Sequence, residues 1–299
     1  MAEPHILHFF MPDHRLAQIA AGKPSILTRV IEAVKTAGWD VNLRPEAEAE
    51  KAARDPGFHL VVNKSVTSPR CLSLRRCYLD PFWRIENTND RWDWPITDMP
   101  FAPDPNDARL ARGFLARRRD KLFADSSVSR RGFTFMPLQG KLLQRRYFQA
   151  MSPVDMIAET FRANPRQSVI ATLHPGETYS DAEMSALMDI KRQNPGFQLS
   201  SLKSDRLLLE CDRVITQNSS LALQGFFLEK PAILFARIDF HHIAGSVVRD
   251  GLEAAFQTAA APPFADYLFW FFKRNSITSW DANSAKAIRE RLSQHGWPV

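Results

Sequence analysis

Residues 5–11 (HILHFFM) form an apolar run that reads as a buried first strand, with Pro12, Asp13 and His14 as the loop at its carboxyl end. Apolar residues at 26, 30, 31 and 34 then fall on one helix face, with Ser25 as cap and Gly38 as stop. Residues 39–43 predict a second short strand, 46–55 a polar helical stretch and 59–63 a third strand. Strand, helix and strand in that order predict an α/β domain built on a parallel sheet.

The pattern breaks over 70–105, where Tyr78, Phe82, Trp83, Trp92, Trp94 and Phe101 alternate with five prolines. This aromatic, Pro-rich insert predicts no regular structure, and long irregular segments of this kind carry function when they are ordered. A basic helix is expected over 107–123. The regular alternation then returns. Strands are expected at 133–139, 168–173, 197–201, 213–216 and 231–235. Between them lie helices whose starts carry cap signals: Ser152 before Pro153 and Asp155, Ser180 with Glu183, and Ser219 or Ser220. This half reads as a Rossmann-like domain.

Composition narrows the class. With 44% hydrophobic and 24% charged residues, the chain is globular rather than disordered. A net charge of +6 and a pI of about 9.4 favour anionic partners. Arg117-Arg118-Arg119, Arg130-Arg131 and Arg145-Arg146 supply much of that charge and read as solvated surface. Cys71, Cys77 and Cys211 fit no zinc template, so a reduced cytoplasmic protein is expected. No secretory leader is read at the start. Residues 267–272 are too short an apolar run to span a bilayer and read as core. Peripheral contact with the inner-membrane surface stays open. No recognised nucleic-acid module is present, and none of the phosphate-loop, dinucleotide, zincin or hydrolase signatures occurs.

Ligands of open α/β sheets bind beyond the carboxyl ends of the strands. Four points there carry candidate chemistry. His174-Pro175 follows the strand at 168–173 and offers an imidazole for phosphate binding or proton transfer. Asn218-Ser219-Ser220 precede a helix and offer hydroxyls and unpaired backbone N–H groups to an anion, or an ordinary cap. Gln224 lies on the same helix, ahead of Lys230-Pro231, which also reads as a plain helix stop. Pro137-Leu138-Gln139 lie at the end of the strand at 133–137, where Gln139 offers a hydrogen bond to a ligand or a cap to the loop.

Taken as an ordered set, PLQ at 137–139, HP at 174–175, NSS at 218–220 and KP at 230–231 resemble the C-terminal half of the capsular polysaccharide biosynthesis family, which includes Kdo transferases of the GT-B kind. The match spans roughly 133–242. The resemblance implies two Rossmann-like domains facing a cleft: an N-terminal, acceptor-side α/β domain over 1–124 and a nucleotide-sugar domain over 131–265. A helical segment at 266–299 would cross back to the first domain. It implies a metal-independent glycosyltransferase without a cofactor, moving a sugar such as Kdo from a nucleotide donor, CMP-linked in that family, to a surface polysaccharide or glycolipid. His174, Pro175, Asn218, Ser219, Ser220, Gln224 and Gln139 would hold the donor. Asp13 is the choice for the catalytic base, alongside His14, Asp80, Glu86 and Asp90, and His174 would assist. Arg76, Arg84 and Trp83 would meet the acceptor. Family members often carry Glu where Gln224 stands, so a catalytically degenerate, glycan-binding or scaffolding relative is the alternative reading.

Overall fold

The computed structural model describes residues 5–124, 126–257 and 261–299. The chain folds as two compact units, residues 1–95 with 272–299, and residues 96–271.

The first unit holds a six-stranded sheet in the order β12-β5-β4-β3-β1-β2. Its strands are β1 (Ile6–Met11), β2 (Asp40–Pro45), β3 (Phe58–Val62), β4 (Cys71–Arg76), β5 (Phe82–Glu86) and β12 (Ile277–Thr278). The first four run parallel, while β5 and β12 are antiparallel to their neighbours. Alternate residues serve opposite faces, as the pleat requires. Leu7, Phe9, Met11, Leu60 and Val62 pack under α2 (Ile26–Thr36) and α11 (Ser284–Gln294), whereas Phe10, Val61 and Cys71 meet Ala49 and Ala52. Ser25 and Thr28 close a reciprocal capping box at the start of α2, and Gly38 at φ +84° allows the chain to leave it.

Three expectations are corrected in this unit. Asp13 starts a helix, α1 (Asp13–Ala20), rather than sitting in a loop. Residues 46–55 make two short 3₁₀ turns. The aromatic insert supplies β4 and β5, which extend the sheet, because their alternate apolar residues have a neighbouring strand to bury against.

The second unit holds a fully parallel six-stranded sheet in the order β11-β10-β9-β6-β7-β8. Its strands are β6 (Phe133–Pro137), β7 (Ser168–Thr172), β8 (Phe197–Leu199), β9 (Arg213–Thr216), β10 (Ala232–Leu234) and β11 (Gly245–Ser246). Counted within the unit, this is the 3-2-1-4-5-6 order of a Rossmann sheet, with its reversal between β6 and β9. On one face α4 (Pro153–Ala163) and α5 (Asp181–Gln193) pack with the ends of α8 (Val247–Asp250) and α9 (Leu252–Phe256). The remaining helices, α3 (Ala108–Phe123), α6 (Ser204–Glu210), α7 (Ser220–Phe227) and α10 (Phe264–Phe269), form a second packed group. The run at 267–272 is buried, as expected of core.

The division of the chain differs from a boundary at 124–131, a stretch in which Asp125 lies outside the described residues. The basic helix α3 belongs to the second unit because Phe114 packs on Phe227 and Phe269. Arg119 also donates to the Phe227 carbonyl (2.7 Å) and pairs with Glu229. Lys230 is no plain helix stop. It is fully buried, and its Nζ donates to the carbonyls of Ser129 (2.5 Å) and Cys211 (2.6 Å), fixing the segment that leads into β6.

The last helix returns to the first unit, as expected. Arg291 on α11 donates to the Ile85 carbonyl (3.0 Å) and pairs with Glu86, while His295 donates to the same carbonyl (3.1 Å). Glu86 is fully buried. Burial alone would raise its carboxyl pKa, but the hydrogen bond from His295 and the charges of Arg291 and Arg84 outweigh that and hold it below its ordinary value. The carboxylate therefore stabilises the fold above the unfolded carboxyl's pKa, and the contribution is lost as pH falls through the lowered value. Urea midpoints measured against pH should drop on the acid side in the wild type. Glu86→Gln should be less stable at neutral pH and show a flatter acid limb.

Candidate functional site

The carboxyl edge of the second sheet brings the C-terminal candidates into one row. Along β9, β6 and β7 the strand exits present Asn218, Gln139 and His174 in turn. The exits are stitched together. Thr216 Oγ1 donates to the Pro137 carbonyl (2.9 Å), and Gln217 Nε2 donates to the Met151 carbonyl (3.2 Å). Ser219 is the N-cap of α7, its Oγ accepting from Leu221 N–H (3.3 Å). That satisfies the ordinary cap and leaves the neighbouring groups to a ligand. The side chains of Gln139, Asn218, Ser220 and Gln224 are half-buried and bond to no other described residue. Ser220 and Gln224 stand four apart on α7, so both project from one face of the helix.

His174 is exposed, and its Nδ1 accepts from Gly176 N–H (3.1 Å). In the neutral ring the proton therefore sits on Nε2, which is a donor facing away from its own turn. Tyr179 fixes that turn by accepting from His174 N–H (2.9 Å). Pro175 is exposed beside it.

The 14 positions between β6 and Ser152, the cap of α4, cross over the strand ends. Leu138 N–H donates to the carbonyl of Thr172 (2.8 Å), the last residue of β7, and Ala150 N–H donates to that of Phe235 (2.8 Å), just beyond β10. The loop passes Glu177 at Gly140, where a Cβ would lie 2.2 Å from the carboxylate and would push that exposed side chain aside. Arg146, read from sequence as solvated surface, is half-buried near Glu177 and over the Phe148 ring (5.2 Å). Burial lowers its pKa from the ordinary value, with Glu177 opposing.

The N-terminal candidates lie in the first unit. Asp13 is exposed at the first position of α1, directly after β1, and His14 is exposed next to it. Arg76 is half-exposed at the end of β4 and pairs with Asp80 (3.1 Å). Trp83 and Arg84 do not form an acceptor surface. Trp83 is core under α2 and α11, and Arg84 is buried against Glu86 (3.5 Å) and the Trp94 ring. Glu86 is committed to α11 and cannot act as a base. β5 is an interior strand, so its side chains on both faces are covered.

Sequence reasoning missed a cavity of about 520 Å³ in the second unit, lined by Thr97, Asp98, Phe101, Arg237, His241 and His242 among others. Its titratable groups are already engaged. His241 Nε2 donates to the Thr97 carbonyl (2.9 Å) and its Nδ1 accepts from Arg249 (3.0 Å). His242 Nε2 donates to the carbonyls of Ile96 and Met99 (3.0 Å each), and its Nδ1 accepts from Tyr267 (3.2 Å). Arg237 pairs with Asp98 (3.0 Å). The adjacent pair His241-His242 was the only sequence signal, and it marks a clasp on residues 96–99.

KpsC from Thermosulfurimonas dismutans, a β-Kdo 2,7-transferase, aligns over 96% of this chain and 99% of its own, with a TM-score of 0.50 at 11% identity. The chain shares its fold. The β-Kdo 2,4-transferase KpsC of the same organism aligns over 88% of this chain and 89% of its own at 13% identity and a TM-score of 0.49. UDP-GlcNAc 2-epimerase from Neisseria meningitidis covers 97% and 99% at 11% identity, with a TM-score of only 0.31. No family model and no curated protein matches the sequence. The GT-B resemblance read from PLQ, HP, NSS and KP is thus met in the fold. Among the described residues no helix is long and apolar enough to cross a membrane.

The histidine clasp has a pH signature. Burial lowers the pKa of both rings, and for His242, with the neighbouring His241 adding to it, the value is pushed down to about 4 from 6.5. The unfolded chain takes up these protons first, so stability is complete above pH 6.5 and falls as pH drops towards 4. For His242 the loss is on the order of 3 kcal/mol. Unfolding midpoints between pH 4 and 7 should show this slope, and His242→Gln should flatten it.

Proposed function

We propose that this chain is a glycosyltransferase that binds the nucleotide end of a sugar donor at the carboxyl edge of its second sheet. The observation that carries this reading is the row of half-buried, unbonded polar side chains at the β6–β9 reversal, beside the start of α7. Open α/β sheets bind ligands at such a reversal. The first-turn N–H groups of α7, the Ser219 and Ser220 hydroxyls and the Nε2 proton of His174 suit a phosphate. In transfer, the same donors stabilise the charge that grows on the departing phosphate, and they do so without a metal. Gln139 and Gln224 hydrogen-bond sugar or base, and Pro175 stiffens the turn that aims His174.

A sugar such as Kdo, CMP-linked, is the donor that the shared fold and the PLQ, HP, NSS and KP set favour. A surface polysaccharide or glycolipid is the acceptor. Asp13, exposed at the end of β1, is the proposed proton acceptor, and Arg76 is the proposed contact for an anionic acceptor. Peripheral work at the inner-membrane surface suits a basic protein on a lipid-linked glycan. Gln224 favours a second reading: the amide keeps hydrogen bonding but lacks the charge of a carboxylate, which fits a relative that binds without turnover.

The test is a thermal-shift screen of CMP, CDP, UDP, GDP and ADP on wild type and on His174→Ala/Ser219→Ala, each compared with its own ligand-free midpoint. Saturation a hundredfold above Kd adds about 2.7 kcal/mol of apparent stability. One nucleotide should raise the wild-type midpoint by several degrees and leave the double variant unmoved. A flat response to all five in the wild type overturns the donor site. Binding without transfer from the matching nucleotide sugar selects the second reading.

A further inference from the structure

The loop over the β6–β9 reversal carries a charge that the fold leaves without hydrogen bonds. Arg146 Nε and Nη2 are sealed from solvent and have no partner, so Nη1 is the open nitrogen. The guanidinium meets Glu177 only through space and lies over Phe148. Its neighbour Arg145 is different: exposed, and donating through Nε to the Gln149 carbonyl (3.0 Å). The loop itself is well tied. Arg146 N–H donates to Gln149 Oε1 (2.7 Å), Gln149 N–H returns to the Arg146 carbonyl (2.9 Å), and Phe148 accepts from Arg237 N–H (2.8 Å). Two more sealed atoms at this edge, Gln149 Nε2 and Gln217 Oε1, also lack partners. A well-anchored loop thus holds a guanidinium in a place where it costs stability, which is a pattern of functional sites.

We propose that Arg146 is the anion anchor of this site, its planar fork taking two oxygens of a ligand phosphate or carboxylate. This deepens the donor-site reading and rests on it for the identity of the ligand. An oxyanion enters at Nη1 and, after a small turn of the side chain, takes a second nitrogen, giving the guanidinium the hydrogen bonds it lacks. Arginine suits the task because its fork matches the spacing of two oxygens, whereas lysine offers a point charge. Glu177, the counter-charge in the free chain, faces the same guanidinium and is displaced from that role by the ligand.

Arg146→Met, with Arg145→Met as the control, tests this. Without ligand, Arg146→Met should unfold at or above the wild-type midpoint, because a poorly hydrogen-bonded charge has been replaced by a side chain of similar length. Its Kd for the nucleotide that binds wild type should rise tenfold or more, while Arg145→Met leaves Kd unchanged. Arg146→Lys should fall between. Inorganic pyrophosphate and a free sialic acid are run as separate titrants. Loss of the first in Arg146→Met assigns the anchor to phosphate, and loss of the second assigns it to a sugar carboxylate. If no nucleotide binds wild type, the donor reading fails, and these two titrants alone judge Arg146. Every wild-type affinity retained in Arg146→Met overturns the proposal, as does, where no nucleotide binds wild type, the failure of both anions to bind it.

Discussion

The order of strands in the second sheet is the constraint from which the rest follows. All six strands are parallel, so every carboxyl end lies along one edge. From β6 the chain proceeds to β7 and β8 on one side, and then returns to β9, β10 and β11 on the other. The exits of β6 and β9 therefore lead in opposite directions, and the backbone itself leaves room between them. That room is where Gln139, Asn218, Ser219 and Ser220 stand, with α7 starting at the same point. Parallel strands buried on both faces favour apolar sequence, and Phe133, Phe135, Met136, Val214 and Ile215 supply it in β6 and β9, so the amides and serines fall at the exits.

Hydrogen-bond accounting separates structural polar groups from available ones. A buried polar group without a partner costs about 1–3 kcal/mol, so folds seldom keep one without use. In this chain the buried ions with partners are structural. Lys230 holds two carbonyls, Glu86 holds the last helix, and the His241-His242 pair clasps residues 96–99. The cavity beside that pair measures about 520 Å³, yet its ionisable side chains are already bonded within the protein. At the β6–β9 edge the reverse holds, where amides, the Ser220 hydroxyl and two nitrogens of one guanidinium lack partners. A cavity and a set of available polar groups thus lie in different places, and availability is the better guide to chemistry.

The sequence made the second unit legible because its signals are local. Ser152, Ser180 and Ser219 cap helices where the pattern put them, and each of the five expected strands ends within a few residues of its limit, while the two-residue β11 went unread. His174 and Asn218 could be placed at strand exits because that rule needs only strand order along the chain. The aromatic insert was opaque for the opposite reason. β4 and β5 become strands by joining a sheet whose other members lie far away in sequence, and β12, two residues long, arrives from position 277. Trp83 and Arg84 looked available for a sugar because their composition suits one, but burial is set by a third strand and a returning helix. Arg146 was hidden in the same way. Beside Arg145 it reads as half of a solvated basic pair, and only the course of the loop separates the bonded arginine from the unbonded one.

Gln224 gains a meaning from this arrangement. It projects from the same face of α7 as Ser220, one turn further along, below a helix start suited to an anion. A carboxylate at that position would place a negative charge within about 6 Å of the Ser220 side chain, where it would oppose a phosphate at an effective dielectric of about 20 by some 2–3 kcal/mol. An amide removes that opposition and keeps a donor and an acceptor. The substitution that weakens any role for a charged side chain at 224 therefore strengthens the case for anion binding beside it. α7 carries no carboxylate at all, so an anion of the proposed kind at its start meets no opposing charge from that helix.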